Sequence, residues 1–486
     1  MNTGGLARSR DAIVVVPGIM GSELVESTTR NVLWGLADPR WYVSAWTSGA
    51  ALKALSLDDD ERAGRYGRVT ATRLLRFPAF APFLAGFEPY TRLLKAVRAV
   101  AVHPDAVIEF PYDWRLPVAH NAALLADAAH RHLLTWREHP ACIESARQWP
   151  EADSPARLVL VAHSMGGLLA RHLVLVPGMA AEIRATVTLG TPFFGAPKSV
   201  QMLASGRGAP VPMPRSRLRG LVRGLPGLYD LLPVYRCVSA ADGPATGSRG
   251  ASPRIAVRSG ARRLTPQDIA DMGGDADLAA RSFAWHERLS GSPPTGHVQV
   301  VGAAQPTVQA LTIEAGTVTG HQQTLRPGAF AVQRVDMGGD GTVPRESAQL
   351  PALPAMPLAQ SHGAIASTSE ALLIVQDVLT DRRTGPWQGA GKLGLDLPDV
   401  VDAGRGFEIR VTGADRATDV TCRITDVARG RQVDAPRPVR AGGSVLASAD
   451  PRPAGLYRVS VDGGGTSGVS QLVMAVPASR SADSGG

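Results

Sequence analysis

Short apolar segments alternate with longer amphipathic ones over the first three quarters of the chain. The short segments are rich in β-branched residues and bounded by Gly, Pro, Asp or His, as buried strands are; they cover 12–16, 106–110, 158–162, 186–189 and 298–301. Between them the pattern indicates helices, for example over 119–137 and 168–176. Strands that alternate with helices predict an α/β fold with a mostly parallel, doubly wound sheet.

The pattern changes after about residue 392. From there to residue 478, apolar and polar positions alternate with a period of two, as in 407–411 and 457–461, and clusters of Gly, Asp and Pro separate the runs. Such segments predict a small all-β, immunoglobulin-like sandwich. We therefore expect an α/β part over 1–392, a β-sandwich over 393–478 and a disordered tail over 479–486.

Two irregular segments interrupt the α/β part, at about 33–82 and 193–268. Insertions of this size above a parallel sheet usually form a lid or cap over a substrate. The second carries Arg residues that alternate with Leu and Val over 215–223, a pattern that suits an anionic lipid surface. The first is rich in aromatic residues that favour membrane interfaces: Trp34, Trp41 and Trp46. Lipid contact and simple packing of a cap on the sheet both remain open.

Composition narrows the class of partner. The 486 residues are 44% hydrophobic and 19% charged, an ordinary balance for a globular protein. The formal charge is +8, and most of the basic residues are Arg scattered along the chain, with no nucleic-acid-binding motif beside them. We expect no nucleic-acid partner, and composition leaves the oligomeric state open.

The spacing of the cysteines bears on disulfides and metal sites, and the N-terminal segment bears on the cellular location. Cys142, Cys237 and Cys422 have no paired spacing, which argues against a disulfide framework and a cysteine metal site. No set of His, Asp and Glu has metal-ligand spacing, so we predict neither a metal nor a cofactor. The first apolar run is too short for a signal peptide, and no run approaches the ~20 residues of a membrane span. These features predict a cytoplasmic protein, with peripheral membrane contact as a further hypothesis.

The strongest chemical signal is the segment "AHSMGG" at 162–167, which follows a strand-like run and precedes a helical one. A strand, a sharp turn and a helix around a serine form the nucleophile elbow of α/β-hydrolases. The residues two before and two after the serine must be small for strand and helix to approach, and they are Ala162 and Gly166. Ser164 is therefore the predicted nucleophile; the alternative is a glycine-rich turn with an incidental serine.

A serine hydroxyl needs a general base, and in this fold the acid and then the histidine follow the serine along the chain. Asp340 lies in a Gly-rich loop after the strand-like run 330–335, and His362 follows in a loop before a long helix. A carboxylate at the end of a strand can hold an imidazole in the required tautomer. We predict that Asp340 is the acid and His362 the general base. Asp336 is the competing candidate for the acid, and the alternative for His362 is a histidine in a solvent-facing loop. We expect the side chain of His163 to point away from the serine.

An oxyanion hole needs two backbone N–H donors aimed at the developing charge. One belongs to the residue after the nucleophile, Met165, and the other to the loop after an early strand. The segment 17–21, "PGIMG", follows the first predicted strand and nominates the amide of Ile19, with Gly18 as its neighbour. A plain tight turn is the alternative.

The order of these motifs resembles the lecithin:cholesterol acyltransferase family, which includes lysosomal phospholipase A. The resemblance covers about residues 11–380 and rests on "VPGIMGSEL", "VLW", "FPYDWR", "VAHSMGG", "TLGTPFFGAPKS", "LYDLLP", "GGDGTVP" and the late histidine. The resemblance implies the same triad and the same two oxyanion donors. Within "PYDWR", Asp113, Trp114 and Arg115 are interpreted as an ion-pair brace under the site.

The activity that the resemblance implies is cleavage of acyl esters of phospholipids, with transfer of the acyl group to an alcohol or to water. We predict a serine-dependent acyl-ester hydrolase and O-acyltransferase that acts on lipid esters. Two alternatives stay open: a soluble carboxylesterase or lipase that uses the same triad on smaller esters, and a non-catalytic binding protein built on the hydrolase fold.

Overall fold

The structure is a computed structural model that describes residues 8–35, 49–75, 90–148, 155–207, 214–239, 261–327, 332–351, 353–382, 393–398, 400–414, 416–427, 429–441, 444–463 and 466–476. Its first strands are β1 (Ala12–Val16), β2 (Ser22–Glu26), β3 (Val32–Trp34), β4 (Val69–Leu74), β5 (Val107–Glu109), β6 (Leu158–His163), β7 (Ile183–Leu189), β8 (Arg236–Ser239), β9 (Arg262–Arg263), β10 (His297–Gly302), β11 (Ala310–Glu314), β12 (Thr317–His321), β13 (Thr324–Pro327), β14 (Val332–Val335) and β15 (Ala355–Leu358).

The α-helices of the described residues all lie between residues 50 and 379. They are α1 (Ala50–Ala54), α2 (Asp59–Arg62), α3 (Thr91–Val100), α4 (Val118–Glu138), α5 (Pro140–Gln148), α6 (Met165–His172), α7 (Met179–Glu182), α8 (Pro197–Ser205), α9 (Arg215–Val222), α10 (Pro226–Tyr229), α11 (Pro266–Asp271), α12 (Ala276–Arg288) and α13 (Ser369–Leu379). The remaining strands are β16 (Gly394–Asp396), β17 (Val400–Asp402), β18 (Phe407–Thr412), β19 (Val420–Asp426), β20 (Arg431–Asp434), β21 (Val439–Ala441), β22 (Ser444–Ala449), β23 (Gly455–Gly463) and β24 (Thr466–Val476).

A six-stranded parallel sheet forms the centre of the α/β part, in the order β15-β10-β7-β6-β1-β5. All five residues of β1 and all six of β6 are buried, because parallel strands in the middle of such a sheet are covered on both faces. Helices α4 and α6 pack on each other and against β1, while α13 packs on α3 and against β7. The predicted α/β fold class is confirmed, and all five predicted strands lie in this sheet.

Strand β15 is the member of the sheet that the hydrophobic pattern did not indicate. It has four residues, it includes Pro357, and three of its four residues are only half buried. Proline lacks a backbone N–H and is tolerated where that N–H has no ladder partner, as on an edge strand. Its position at the edge of the sheet explains why it lacks the apolar run of its neighbours.

The chain after residue 392 forms two β-sheets, a four-stranded one (β16-β18-β22-β21) and a five-stranded one (β17-β24-β23-β19-β20). Burial alternates along β18 and β19, and the inward residues form a hydrophobic cluster separate from that of the α/β part. We call residues 393–476 the β unit. Its immunoglobulin-like character and the exact domain limits stay predictions. Among the described helices of the whole chain, none is long and apolar enough to cross a membrane.

Candidate active site

Ser164 occupies the sharp turn between β6 and α6. Its backbone has φ 51° and ψ −127°, a strained conformation for a residue with a side chain. Two glycines allow neighbouring segments to approach: a Cβ on Gly166 would lie 2.4 Å from the carbonyl oxygen of Pro17, and one on Gly18 would lie 2.8 Å from Cβ of Ser164. The strand, turn and helix expected around this serine are therefore present, and the turn is closely packed.

Three side chains that lie far apart in the chain form one hydrogen-bonded series. The Ser164 hydroxyl lies 2.8 Å from Nε2 of His362, and Nδ1 of His362 lies 2.7 Å from Oδ2 of Asp340. A neutral imidazole with its proton on Nδ1 donates to Asp340 and leaves Nε2 free to accept from Ser164. The side chain of Asp340 is 0% exposed and that of His362 is 16% exposed. This arrangement allows His362 to take a proton from the serine.

Asp340, and not its competitor Asp336, lies beside the imidazole. Oδ1 of Asp340 accepts from the backbone N–H groups of Thr342 and Val343, so one carboxylate oxygen is held while the other faces His362. Asp336 instead accepts from the Gln309 amide and the Gly338 N–H, bonds that shape the preceding turn.

The strand that ends next to Asp340 is not the strand that the sequence predicted. Strand β14, which covers most of the predicted run 330–335, pairs with β13 in a two-stranded hairpin and is not part of the central sheet. Asp340 packs instead against Gly302, the last residue of β10, where an added Cβ would lie 2.2 Å from Cβ of Asp340. The carboxylate thus lies at the end of a central strand, but the chain reaches it by a 37-residue excursion from Ala303 to Gly339.

The nominated oxyanion donors, Ile19 and Met165, flank the serine. Met165 is the first residue of α6, where an N–H has no partner within the helix. Among the described residues, neither this N–H nor that of Ile19 donates to a protein acceptor. The N–H of Gly18 is already bonded to the Tyr90 hydroxyl at 2.7 Å. The geometry thus leaves the Ile19 amide available, and its role remains a prediction.

The side chain of His163 lines the same cavity as Ser164, and its ring nitrogens contact groups other than the serine. Its Nδ1 lies 2.9 Å from the Tyr90 hydroxyl, and its Nε2 lies 3.1 Å from the backbone oxygen of His362. Burial lowers the pKa of His163 to about 3, so its ring is neutral near pH 7. A buried series therefore runs from the Gly18 N–H through Tyr90 and His163 to His362. Tyr90 carried no signal in the sequence, since nothing in its local pattern indicates a partner 73 residues away.

The "PYDWR" segment forms a buried ion network, as its interpretation as a brace requires. The Arg115 guanidinium donates to both oxygens of Asp113 at 2.9 and 2.6 Å, to Glu61 at 2.7 Å and to the Leu55 carbonyl at 3.2 Å. The Arg115 side chain is 0% exposed. The network ties the loop after β5 to α2 of the first insertion. Trp114 lines the cavity beside it.

The lipid-contact candidates need one correction. Trp34 is 1% exposed: its indole donates to the Met20 carbonyl at 2.8 Å and packs edge-on against Trp114 at 5.6 Å. It lines the cavity and cannot lie on a membrane surface as the sequence suggested. Trp41 and Trp46 lie outside the described residues.

The basic amphipathic segment of the second insertion forms α9. Its Leu218, Leu221 and Val222 are buried and line the cavity, while Arg215 and Arg219 are exposed. The apolar side of this helix is therefore used within the protein, which favours the packing interpretation over insertion into lipid.

A cavity of about 330 Å³ lies over Ser164 and His362. Much of its wall is aliphatic and comes from both insertions: Leu52, Leu55, Leu218, Leu221, Val222, Leu225, Leu228 and Leu231. Polar groups are concentrated around the triad and include Gln305, Thr342 and Ser361. A mostly apolar cavity with a few converging polar groups is typical of a binding site for a small organic molecule.

One other cluster has the composition of a metal site. Ligand atoms of His103, Asp105 and His139 lie within 4.8 Å of one another. One nitrogen of each imidazole makes a local hydrogen bond: Nδ1 of His103 accepts the Asp105 N–H, and Nδ1 of His139 accepts the Ala141 N–H. These bonds cap the turn at Pro104–Ala106 and the start of α5, which gives the cluster a structural role.

The parallel sheet, the turn at Ser164 and the approach of Asp340 and His362 from later loops are features of the α/β-hydrolase fold. A family model described as lecithin:cholesterol acyltransferase matches residues 80–246, and this match confirms the resemblance that the motifs indicated. It includes the "PYDWR" segment and the elbow, and it ends before Asp340 and His362.

A phospholipid:diacylglycerol acyltransferase of Schizosaccharomyces pombe is 24% identical over 220 residues, which cover 41% of this chain and 32% of that protein. The match thus spans about a third of that relative.

Among solved structures, a chain of the Tle4-Tli4 complex shares 17% identity, with 76% of this chain and 98% of that chain covered and a TM-score of 0.45. Mature lipase BlEst2 of Bacillus licheniformis shares 13% identity, with 77% and 93% covered and a TM-score of 0.30. Neither likeness is close enough to bear on function.

Proposed function

We propose that the chain is a serine-dependent acyl-ester hydrolase and O-acyltransferase that acts on lipid, phospholipid-like esters through an acyl-enzyme on Ser164. The observation that carries the proposal is the hydrogen-bonded series Ser164–His362–Asp340, which opens into an apolar cavity. A preorganised triad beside a mostly apolar cavity is suited to acyl transfer, because charge develops on one oxygen in the transition state.

In the first half-reaction, Nε2 of His362 accepts the hydroxyl proton as Ser164 Oγ attacks the ester carbonyl carbon. The amides of Ile19 and Met165 donate to the oxyanion that forms. Asp340 holds the imidazole in the required tautomer and stabilises its positive charge. The intermediate then breaks down: the bond to the alcohol oxygen is cleaved, His362 gives its proton to that oxygen, and the acyl group stays on Ser164.

In the second half-reaction, water or an alcohol gives a proton to His362 and attacks the acyl-enzyme carbonyl. The bond to Ser164 Oγ breaks, the proton returns to Oγ, and a carboxylic acid or a new ester leaves. The same residues therefore serve hydrolysis and transfer, and the acceptor decides which product forms.

Two observations support a lipid substrate. The aliphatic wall supplied by the insertions suits an acyl chain, since burial of apolar surface is favourable at about 25 cal/mol per Å². The relative from S. pombe is named for phospholipid and diacylglycerol. We further propose that the insertions at 33–82 and 193–268 act as a lid over this cavity, and that the protein makes peripheral contact with membranes when it takes up lipid.

The deciding experiment is mass spectrometry of the products formed from phospholipid vesicles, with and without an added long-chain alcohol. We expect free fatty acid in the absence of alcohol and an alkyl ester in its presence, and neither product with Ser164→Ala. Hydrolysis of short esters with untouched vesicles would favour the carboxylesterase alternative. Failure of Ser164 to react with a fluorophosphonate probe would favour a non-catalytic binding protein.

A further inference from the structure

The β unit contributes directly to the wall of the cavity over Ser164. Two of its segments line that cavity: residues 395–397, at the end of β16, and residues 470–472, within β24. They present both apolar side chains, Leu395, Leu397 and Leu472, and polar ones, Asp396 and Gln471. The β unit is therefore part of the site and not a separate appendage.

Strand β24 is hydrogen-bonded to the loop that carries His362. The two residues before His362 both donate to backbone oxygens of this strand: Gln360 Nε2 to Gly468 at 2.9 Å and Ser361 Oγ to Ser470 at 3.1 Å. The segment 470–472 thus lies next to the imidazole along the cavity wall.

Strand β16 is bonded to the loop that carries Asp340. The buried Gln305 side chain accepts from the Leu395 N–H and donates to the Leu393 oxygen, both at 3.1 Å, while its own backbone N–H donates to Gly339 at 3.0 Å. The contact is close, since a Cβ on Gly394 would lie 2.1 Å from the Ala304 oxygen. These bonds fix the position of segment 395–397 relative to the acid and the base.

The chemistry of the triad indicates which part of the substrate lies along this wall. His362 must hand its proton to the leaving alcohol oxygen in the first half-reaction and take one from the acceptor in the second. Both alcohols therefore bind with their oxygen at Nε2 of His362, and the rest of each alcohol extends along whatever wall adjoins His362. The acyl chain occupies a different part of the cavity, because its carbonyl carbon is bonded to Ser164.

We infer that segments 395–397 and 470–472 form an alcohol subsite, which binds the alcohol portion of the ester and then the acyl acceptor; this inference rests on the proposed function. The leucines of the subsite contact the hydrocarbon part of a long-chain or lipid alcohol and exclude water. The acyl-enzyme ester bond to Ser164 Oγ breaks as the alcohol oxygen bonds to the acyl carbon, and the alcohol proton passes through His362 to Oγ. The β unit thus favours transfer to an apolar alcohol over hydrolysis.

The partition of one acyl-enzyme between water and alcohols tests this inference. The full-length protein is given a p-nitrophenyl ester of one fixed acyl chain together with primary alcohols of increasing length. The ratio of alkyl ester to free acid is measured by mass spectrometry. Because the acyl-enzyme is the same throughout, this ratio reports on binding of the acceptor and not of the acyl chain.

Leu472→Ser is the test variant and Met474→Ser its matched control. The two residues are half buried, lie on the same face of β24 two positions apart, and differ in that Met474 does not line the cavity. For the longest alcohol, we expect the ratio to fall at least about tenfold in Leu472→Ser, the size of effect that a lost apolar contact has on discrimination. Met474→Ser should keep the wild-type ratio. Thermal unfolding checks that both variants fold.

A second variant, Leu472→Phe, narrows the subsite and should move the preferred alcohol to a shorter chain. Equal ratios in the wild type, Leu472→Ser and Leu472→Phe would overturn the inference. Free acid as the product of the wild type with every alcohol would overturn it too. Failure of the proposed function looks different: the wild type would neither cleave the p-nitrophenyl ester nor react with a fluorophosphonate at Ser164.

Discussion

Ser164, the proposed nucleophile, and its two partners Asp340 and His362 are positioned by different means. Ser164 lies at the end of a central strand, and the small residues on either side of the turn, Ala162 and Gly166, are local features of the chain. Asp340 and His362 lie in loops without regular secondary structure, joined by a backbone bond from the His362 N–H to the Asp340 oxygen. These loops are held by bonds to the β unit through Gln305, Gln360 and Ser361.

This difference indicates which kinds of substitution should disturb each part of the site. The nucleophile depends on close packing that a single added methyl group disturbs. The acid and base depend on hydrogen bonds between segments that are distant in the chain. The geometry of the triad is therefore sensitive to the β unit on one side and to the elbow on the other.

The largest effect is expected at the nucleophile. Ser164→Ala should lower kcat by about 10⁶-fold, the loss seen when the serine of such a triad is removed. Its thermal unfolding should stay close to that of the wild type. Steady-state ester hydrolysis measures the rate, and activity comparable to that of the wild type would refute the assignment.

A smaller loss is expected on the acid–base side. Asp340→Asn keeps the shape of the side chain but favours the wrong tautomer of His362, so kcat should fall by about 10⁴-fold. Asp336→Asn is the matched control, because that carboxylate bonds only to Gln309 and Gly338 among the described residues. A larger loss in Asp336→Asn than in Asp340→Asn would exchange the two roles.

The buried ion network around Arg115 is expected to contribute to the stability of the fold near Ser164. Arg115→Leu leaves the buried Asp113 carboxylate without its partner and leaves Glu61 paired with Arg68 alone, which should lower the free energy of unfolding by about 3–5 kcal/mol. Arg65→Leu removes an exposed ion pair with Asp60 and should change the free energy of unfolding little. Urea denaturation of the two variants compares them directly, and similar midpoints would contradict the role of the brace.

Acid should weaken the folded state through buried histidines around the elbow and beneath the cap. Burial lowers the pKa of His163 to about 3 and those of His286 and His297 to about 4. Below pH 6.5 the unfolded chain binds protons that the folded chain does not, so the free energy of unfolding falls as pH drops from 6.5 towards 4. Urea titrations at several pH values measure this slope.

Asp230 acts in the opposite direction, because burial raises its pKa to about 7. Between pH 7 and 4 the folded chain holds a proton on this carboxyl that the unfolded chain releases, which stabilises the folded state as pH falls. Asp230→Asn removes this contribution and should make the loss of stability in acid steeper. If the free energy of unfolding of Asp230→Asn depended less on pH in acid than that of the wild type, the raised pKa of Asp230 would be contradicted.

The smallest effect is expected where the acid loop meets the β unit. Gln305→Leu leaves the Leu395 N–H and the Leu393 oxygen without their partner, at a cost of about 1–3 kcal/mol. It should also lower kcat modestly, because the loop next to Asp340 loses its attachment. Gln148→Leu, at an exposed position, is the control for both readouts. Unchanged stability and rate in Gln305→Leu would remove the β unit from the placement of the acid.

Much of the fold was predictable because it is encoded locally. Four of the five predicted strands are apolar runs inside the parallel sheet, the fifth, β5, is at its edge, and α4 and α6 follow from helical periodicity and the elbow. Strand β15 was missed because an edge strand with Pro357 lacks such a run. The surface role suggested for Trp34 was wrong because aromatic clustering does not distinguish a membrane face from a cavity wall.

The sequence by itself determined the α/β architecture and the strand, turn and helix around Ser164, and it led to the prediction of Asp340 and His362 as partners of that serine, since these depend on short-range patterns and on chain order. Only the tertiary structure decided the rest: that Asp340 lies against β10, that Tyr90 and His163 join Gly18 to His362, and that the β unit borders the cavity. Each of these is a contact between segments tens to hundreds of residues apart. No local periodicity records such a contact, because the energy that selects it arises only when the folded surfaces meet.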